Sequence, residues 1–269
     1  MDLSIVILHH GSPDEVSENV QALSLAILPE KTEVLVINNG TVGANEKVEF
    51  AGSKKFELKF FEIENQGYPQ GNNFGLKIAR GKFLCILNPD VIVQKNAFKN
   101  LIEYLDEHSL VGIVAPRLVY PTGKIQDNYR VFPRILDLII KRTCPKFFLG
   151  RMRRYLMWDK DPKESEAVDW LTGAFQIIAR KCWNSIGPND ERFFLFMSDV
   201  DICRLAWENG FEVHFVGNAE GLHNESRLSG GGIVDIFKKK VLRIHLKDAV
   251  KYYLKYFRRG LPKKCPSMN

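Results

Sequence analysis

The apolar run FLCIL at residues 83–87, cut off by Asn88-Pro89-Asp90, is the feature that most narrows what this chain can become. An apolar run without polar alternation suits a strand buried on both faces. Proline then ends the ladder and leaves a carboxylate just outside it, where a sheet edge meets solvent. The approach to this strand is equally marked. Within residues 65–91, NQGYPQGNNFGLKIARGKFLCILNPDV, a turn built from Gly67, Pro69 and Gly71 leads into a helical segment that stops at Gly81.

The same scheme appears upstream. Residues 3–8 (LSIVIL) form a first strand closed by His9-His10-Gly11. Residues 12–28 read as a helix, with Ser12 able to cap and Pro13, Asp14 and Glu15 in its first turn. Residues 33–37 (EVLVI) form a second strand closed by Asn38-Asn39-Gly40, followed by a polar helix and a third strand at 56–63. Strands alternating with helices predict an α/β fold with a parallel sheet. Ligands of such sheets sit beyond the carboxyl ends of the strands. By that rule His9, Asn38, Asn65 and Asp90 converge on one crevice. The competing explanation is that turns simply favour Asn and Gly.

Composition bounds the setting. A chain of 269 residues with 45% hydrophobic content suits one α/β domain with an appendage. No apolar window reaches the roughly eighteen residues of a membrane span. The opening MDLSIVILHHGS lacks the basic region of a signal peptide. The five cysteines show no paired spacing, which points to a reducing, cytoplasmic compartment. The net charge of +6 is uneven: residues 236–264 hold eleven Lys or Arg against Asp248 alone, a local +10, so the remainder carries 6 − 10 = −4. A net-acidic fold argues against a nucleic-acid partner.

Downstream, residues 94–106 read as a helix and 111–115 as a strand. Residues 116–165 are irregular, and within them 141–158 interleave six cations with aromatic and aliphatic residues, a composition suited to lipid or acceptor contact or to a solvated basic surface. Order returns with a strand at 174–179, a helix at 199–209 with Ile202, Leu205 and Ala206 inward, and a strand at 211–216, with His223 in the loop beyond. Asp199 opens the helix, where a carboxylate also suits the dipole. Asp201, two residues on, faces elsewhere. From 236 to 259 a helical wheel groups Leu242, Leu246, Ala249, Val250, Tyr253 and Phe257 opposite a row of Lys and Arg, an amphipathic basic helix. Such a helix packs on the domain, lies on an anionic membrane, or does both. The expected boundary divides a domain at 1–232 from a tail at 233–269.

Taken in order, SIVIL, VINNG, the 65–91 stretch, VDWLTGAFQIIAR and DERFFLFMSDVDICRLAWENG followed by His223 resemble the nucleotide-sugar glycosyltransferases of family 2. The resemblance is nearest to the bacterial rhamnosyltransferase-like branch that builds surface polysaccharides. It implies the GT-A fold, a Rossmann-like nucleotide-binding sheet flanked by helices. It also implies an inverting transfer to a growing, lipid-linked cell-surface glycan, with dTDP-rhamnose or a UDP-sugar as donor. Carried over by position, Asp90 and His223 hold Mn²⁺ or Mg²⁺, and Asp199 is the general base. His9, Asn38, Asn65, Asn73 and Asn88 bind the donor or organise its pocket, while Trp170 and Gly173 line the acceptor side. Two positions depart from the family: Asn38 stands where Asp is usual, and Ser198 stands where Glu is usual. The second departure keeps open a non-catalytic sugar-nucleotide or glycan-binding module. A nucleotidyltransferase would need a Gly-rich loop with a basic residue after the first strand, which His9-His10-Gly11-Ser12 does not supply.

Overall fold

A computed structural model describes residues 1–223, 240–263 and 265–266. The apolar runs become strands β1 (Leu3–His9), β2 (Thr32–Asn38), β3 (Phe56–Glu62) and β4 (Phe83–Leu87). β1 pairs in parallel with β2 and β4, and β2 with β3. Because His9 pairs with Asn38 and Asn38 with Glu62, the polar strand ends do line one edge, with Asn88 just past Leu87. The first crossover is helix α1 (Pro13–Leu25) and the third is α2 (Tyr68–Ile78). The polar helix expected after Asn39 is only a 3₁₀ turn, Ala44–Lys47, and Ser12 makes no side-chain cap.

Beyond β4 the expected parallel order fails. After the short β5 (Val91–Val93), helix α3 (Ala97–Glu107) leads to β6 (Val111–Val119). β10 (Phe175–Ala179) inserts antiparallel between β4 and β6. Apolar composition alone says that a strand is buried, not which way it runs, so FQIIA was silent on direction. β11 (Glu212–His223) runs parallel to β6 and antiparallel to β5. It continues seven residues past the predicted end at 216, and a register irregularity between Val216 and Glu220 marks the place where the pattern breaks. His223 is therefore a strand residue, paired with Val91, rather than part of a loop.

The irregular middle holds β7 (Tyr129–Arg130), helix α4 (Ile135–Thr143), a 3₁₀ turn (Pro145–Phe148), α5 (Leu149–Tyr155), β8 (Glu166–Ala167) and β9 (Trp170–Leu171). β7 and β9 form a two-stranded ladder. Helices α6 (Arg180–Ile186) and α7 (Ser198–Glu208) follow. On α7, Ile202 and Ala206 are buried as expected, but Leu205 is only half-buried.

The tail forms helix α8 (Lys240–Lys255). The expected start at 236 and the boundary at 232/233 lie outside the described residues. The helix packs on the domain through Leu242, Ala249, Tyr252 and Tyr256, so the predicted apolar face splits. Leu246, Val250 and Phe257 are exposed instead. Polar contacts accompany this packing: Tyr256 donates to the Asp201 carboxylate at 2.7 Å, and Lys255 pairs with the same group at 2.8 Å.

Candidate active site

The Asp90 carboxylate hangs from the turn that β4 enters at Asn88. Register brings a partner to it: His223 pairs with Val91, and its Nε2 lies 3.3 Å from Asp90 Oδ2. The buried Gln126 fixes the imidazole. Its Nε2 donates to the His223 carbonyl at 3.0 Å, which turns Oε1 toward His223 Nδ1 at 2.9 Å. The Nδ1 proton is therefore on the Gln126 side, which leaves Nε2 facing the Asp90 carboxylate. An imidazole nitrogen held this close to a carboxylate oxygen is a pair that a shared cation could join. Among the described residues no group of three or more His, Cys, Asp and Glu side chains forms a metal cluster. A carboxylate and an imidazole still fit a divalent ion whose other ligands are water and diphosphate oxygens.

Asp199 lies on the opposite side. It occupies the first turn of α7, after Met197 takes a left-handed backbone (φ 69°). Its Oδ1 accepts from Val200 N–H at 2.9 Å and its Oδ2 from Gly173 N–H at 3.4 Å. Burial raises its pKa, and the Val200 and Gly173 N–H groups and the Arg130 charge pull it back only in part. Ser198, in place of the family's usual Glu, is buried and makes no cap, since the cap position falls on Met197.

Tyr68 joins the two halves and was missed from the sequence. Its phenol lies 3.0 Å from Asn88 Oδ1 and donates to the Gly173 carbonyl at 2.9 Å. Burial, then the charges of Asp199 and Asp90, push its pKa far up, so it stays a neutral donor. Its place at the start of α2, after the close-packed Gly67, was the available signal. A Cβ on Gly67 would come within 2.5 Å of the Phe194 carbonyl, and its φ of 112° is itself a glycine conformation. Arg130 was also missed: it faces Trp170 across the β7–β9 ladder, 5.0 Å above the indole ring.

The remaining candidates divide. His9 is buried, donates from Nε2 to Asn45 Oδ1 at 2.9 Å and accepts Ser12 N–H at Nδ1, 3.3 Å away. Burial lowers its pKa, so the ring is neutral. Asn38 closes its own turn, accepting Gly40 N–H at 2.9 Å and donating to the Thr41 carbonyl at 2.7 Å. Asn65 Oδ1 accepts Gly67 N–H at 3.1 Å. These side chains shape the strand-end rim. Asn73 is fully buried and bonds to both backbone groups of Asn189 at 2.9 Å, so it fastens α2 to that loop rather than opening on the crevice. Trp170 is likewise buried and donates to the Val131 carbonyl at 2.9 Å.

The family model "Glycosyl transferase family 2" matches residues 4–183. The chain belongs to glycosyl transferase family 2. This transferase is 23% identical over 263 residues to the rhamnosyltransferase WbbL of Escherichia coli K12, covering 92% of this chain and 91% of that protein. It is 24% identical over 150 residues to the N-acetylglucosaminyl-diphospho-decaprenol L-rhamnosyltransferase of Mycobacterium tuberculosis, covering 55% of this chain and 48% of that one, about half its length. Among solved structures it resembles Staphylococcus aureus TarS 1–349 in complex with UDP (TM-score 0.59, 18% identity, 93% of this chain and 68% of that one). It also resembles the mannosyltransferase PcManGT of Pyrobaculum calidifontis with GDP-Man and Mn²⁺ (TM-score 0.62, 14% identity, 99% and 66%). The fold is GT-A, and the family member is a nucleotide-sugar-dependent glycosyltransferase.

Proposed function

We propose that this transferase moves L-rhamnose from dTDP-rhamnose, with inversion, to a hydroxyl of a growing lipid-linked glycan of the cell surface. The observation that carries the reading is the two-sided site: the Asp90–His223 pair on one side, Asp199 on the other, and neutral Tyr68 between them. Rhamnose is supported by the E. coli and mycobacterial relatives, and the lipid-linked acceptor by the name of the latter. A UDP-sugar is the competing donor, favoured by the TarS complex.

Asp90 and His223 would hold Mn²⁺ or Mg²⁺, which when bound neutralises charge on the departing diphosphate. The chain's own residues account for the rest. Asp199 accepts the proton of the acceptor hydroxyl while its oxygen bonds to the anomeric carbon, and the bond to the diphosphate breaks with its electron pair leaving on the nucleotide. Attack opposite the leaving group inverts the carbon. Tyr68 holds Asn88 and the Gly173 carbonyl, keeping donor and acceptor walls at a fixed separation. A lipid-linked acceptor puts this work at the cytoplasmic face of a membrane, where the basic tail has an anionic partner.

The test is thermal melting with dTDP-, UDP- and GDP-sugars, with and without Mn²⁺. A ligand at a hundred times its Kd adds about 2.7 kcal/mol, and the rise should need both metal and the matching sugar. Asp90→Ala should erase the metal-dependent rise. An unchanged rise in that variant would sink the metal assignment, and a rise with UDP-sugars alone would overturn the rhamnose donor.

A further inference from the structure

The two basic segments singled out in the sequence lie side by side. Arg142 Nη2 donates to His245 Nδ1 at 3.1 Å, and the Tyr253 hydroxyl donates to the Pro133 carbonyl at 2.9 Å. Positions 133 and 142 meet 253 and 245 in opposite order, so the segment that leads into and through α4 runs antiparallel to α8. Burial and the Arg142 guanidinium push the His245 pKa down to about 4, so the imidazole accepts as a neutral ring.

Each helix carries an exposed apolar stripe beside that contact. On α8 it is Leu246, Val250 and Leu254, the last 69% exposed, with Phe257 (70% exposed) in the turn just beyond the helix. On α4 it is Ile135, Leu136 and Ile139. At about 100° per residue, both stripes lie roughly 20–140° onward from the mutual contact in the N-to-C sense of rotation. In an antiparallel pair the same sense from a shared contact leads to the same side. Both stripes therefore look outward together, away from the flank of α8 that carries Asp248 and Lys255 into the domain. Just beyond the end of α4, Phe147 (87% exposed), Phe148 and Leu149 are exposed as well. Scattered exposed apolar residues are ordinary, but a contiguous face of this kind marks an interaction site.

Charge selects the partner. Residues 134–154 hold seven Lys or Arg and 240–259 hold seven, against one acid each, Asp137 and Asp248. Both acids are buried; Lys251 and Lys255 pair on the domain side and Arg151 pairs with Asp137, which still leaves these two segments with a cationic excess. A second copy would bring like charge against it. An anionic bilayer offers acyl chains for the stripes and phosphate for the rim. We propose that α4, the Phe147–Leu149 corner and α8 form one composite face that lies on an anionic membrane surface, with both helices in its plane.

The inference rests on the proposed membrane setting and deepens it by assigning the contact to two elements rather than to the tail alone. Flotation of the full-length protein with phosphatidylglycerol-containing vesicles, against pure phosphatidylcholine vesicles, reads binding without turnover. Its failure is therefore separable from failure of the transfer reaction. The protein should float with the anionic vesicles only, and less in high salt. Leu254→Glu/Phe257→Glu at the end of α8 and Ile139→Glu/Phe147→Glu on the other element should each reduce binding at least 10-fold without lowering Tm, because all four side chains are exposed. Equal flotation with neutral vesicles would overturn the proposal. So would full binding by the Ile139/Phe147 variant, or a dimer in solution that the same substitutions dissolve while no vesicle binds.

Discussion

Asp199 is held by two backbone N–H groups, yet its pKa is raised because burial outweighs them. A raised carboxyl favours the protonated form in the folded state, so the sign of its two effects is opposite. Ionisation costs stability as pH rises through the folded pKa, whereas a proton-accepting role needs the ionised form. Asp199→Asn removes the cost of ionisation but sets an N–H₂ group against the long Gly173 N–H contact, so Tm at neutral pH should change little, while turnover falls about 10²–10⁴-fold with donor binding retained. In the wild-type enzyme kcat/KM should fall on the acid side at a pH above the ordinary carboxylate range. Near-normal turnover in the variant, measured with the donor found by melting, would remove Asp199 from the chemistry. Much of this site was legible: a carboxylate after a proline-stopped strand and another opening a helix are local signals. Tyr68 was not, because its role comes from reaching Asn88 and Gly173, which are 20 and 105 residues away in sequence.

At the scale of elements, α8 reaches into the domain through Asp248, the lone acid that the sequence shows among the cations of 236–264. Asp248 is fully buried, and its Oδ2 accepts the N–H groups of Phe194, Leu195 and Phe196 at 3.0–3.1 Å, with Lys251 at 3.1 Å from Oδ1. The Phe194 carbonyl in turn accepts Tyr68 N–H at 2.7 Å, and the same segment leads into Asp199. One carboxylate thus gathers the loop that leads into Asp199. In Asp248→Asn an N–H₂ group replaces an acceptor among donors, at about 3 kcal/mol or more. That corresponds to a Tm drop of roughly 6–12 °C at this chain length. Well below the melt, kcat should fall while KM for the donor holds, since the Asp90 side is untouched. An unchanged kcat would reduce Asp248 to a purely structural latch. No pattern in the sequence separates this aspartate from a solvated one, because its partners are backbone groups of a distant loop. His223 was misplaced for a related reason: the irregular register at 216–220 ends the apolar alternation, but pairing with β5 carries the strand onward.

For the whole molecule the question is whether the tail is an appendage. The sequence divides at 232/233 by charge, and charge describes a surface. Packing divides differently: Ala249, Tyr252, Tyr256 and Cys265 belong to the same core cluster as Ile113, Trp207 and Phe215 of the domain. Arg204 of α7 donates to the Gly260 carbonyl and stacks over Tyr256 at 3.7 Å. Burying a large apolar side chain is worth about 1.5–3 kcal/mol. Leu242, Tyr252 and Tyr256 together therefore approach the roughly 5–15 kcal/mol that holds a domain folded. Full-length protein should unfold in one transition, with tryptophan fluorescence, which reports only on the domain, coinciding with helical circular dichroism. A chain ending before Lys240 also leaves Asp201 and the 194–196 amides without their partners. It should lose near-ultraviolet dichroism and melt far lower or without cooperativity. Retention of a sharp melt within a few degrees of the full chain would restore the boundary that charge suggested, and would make the tail a detachable arm.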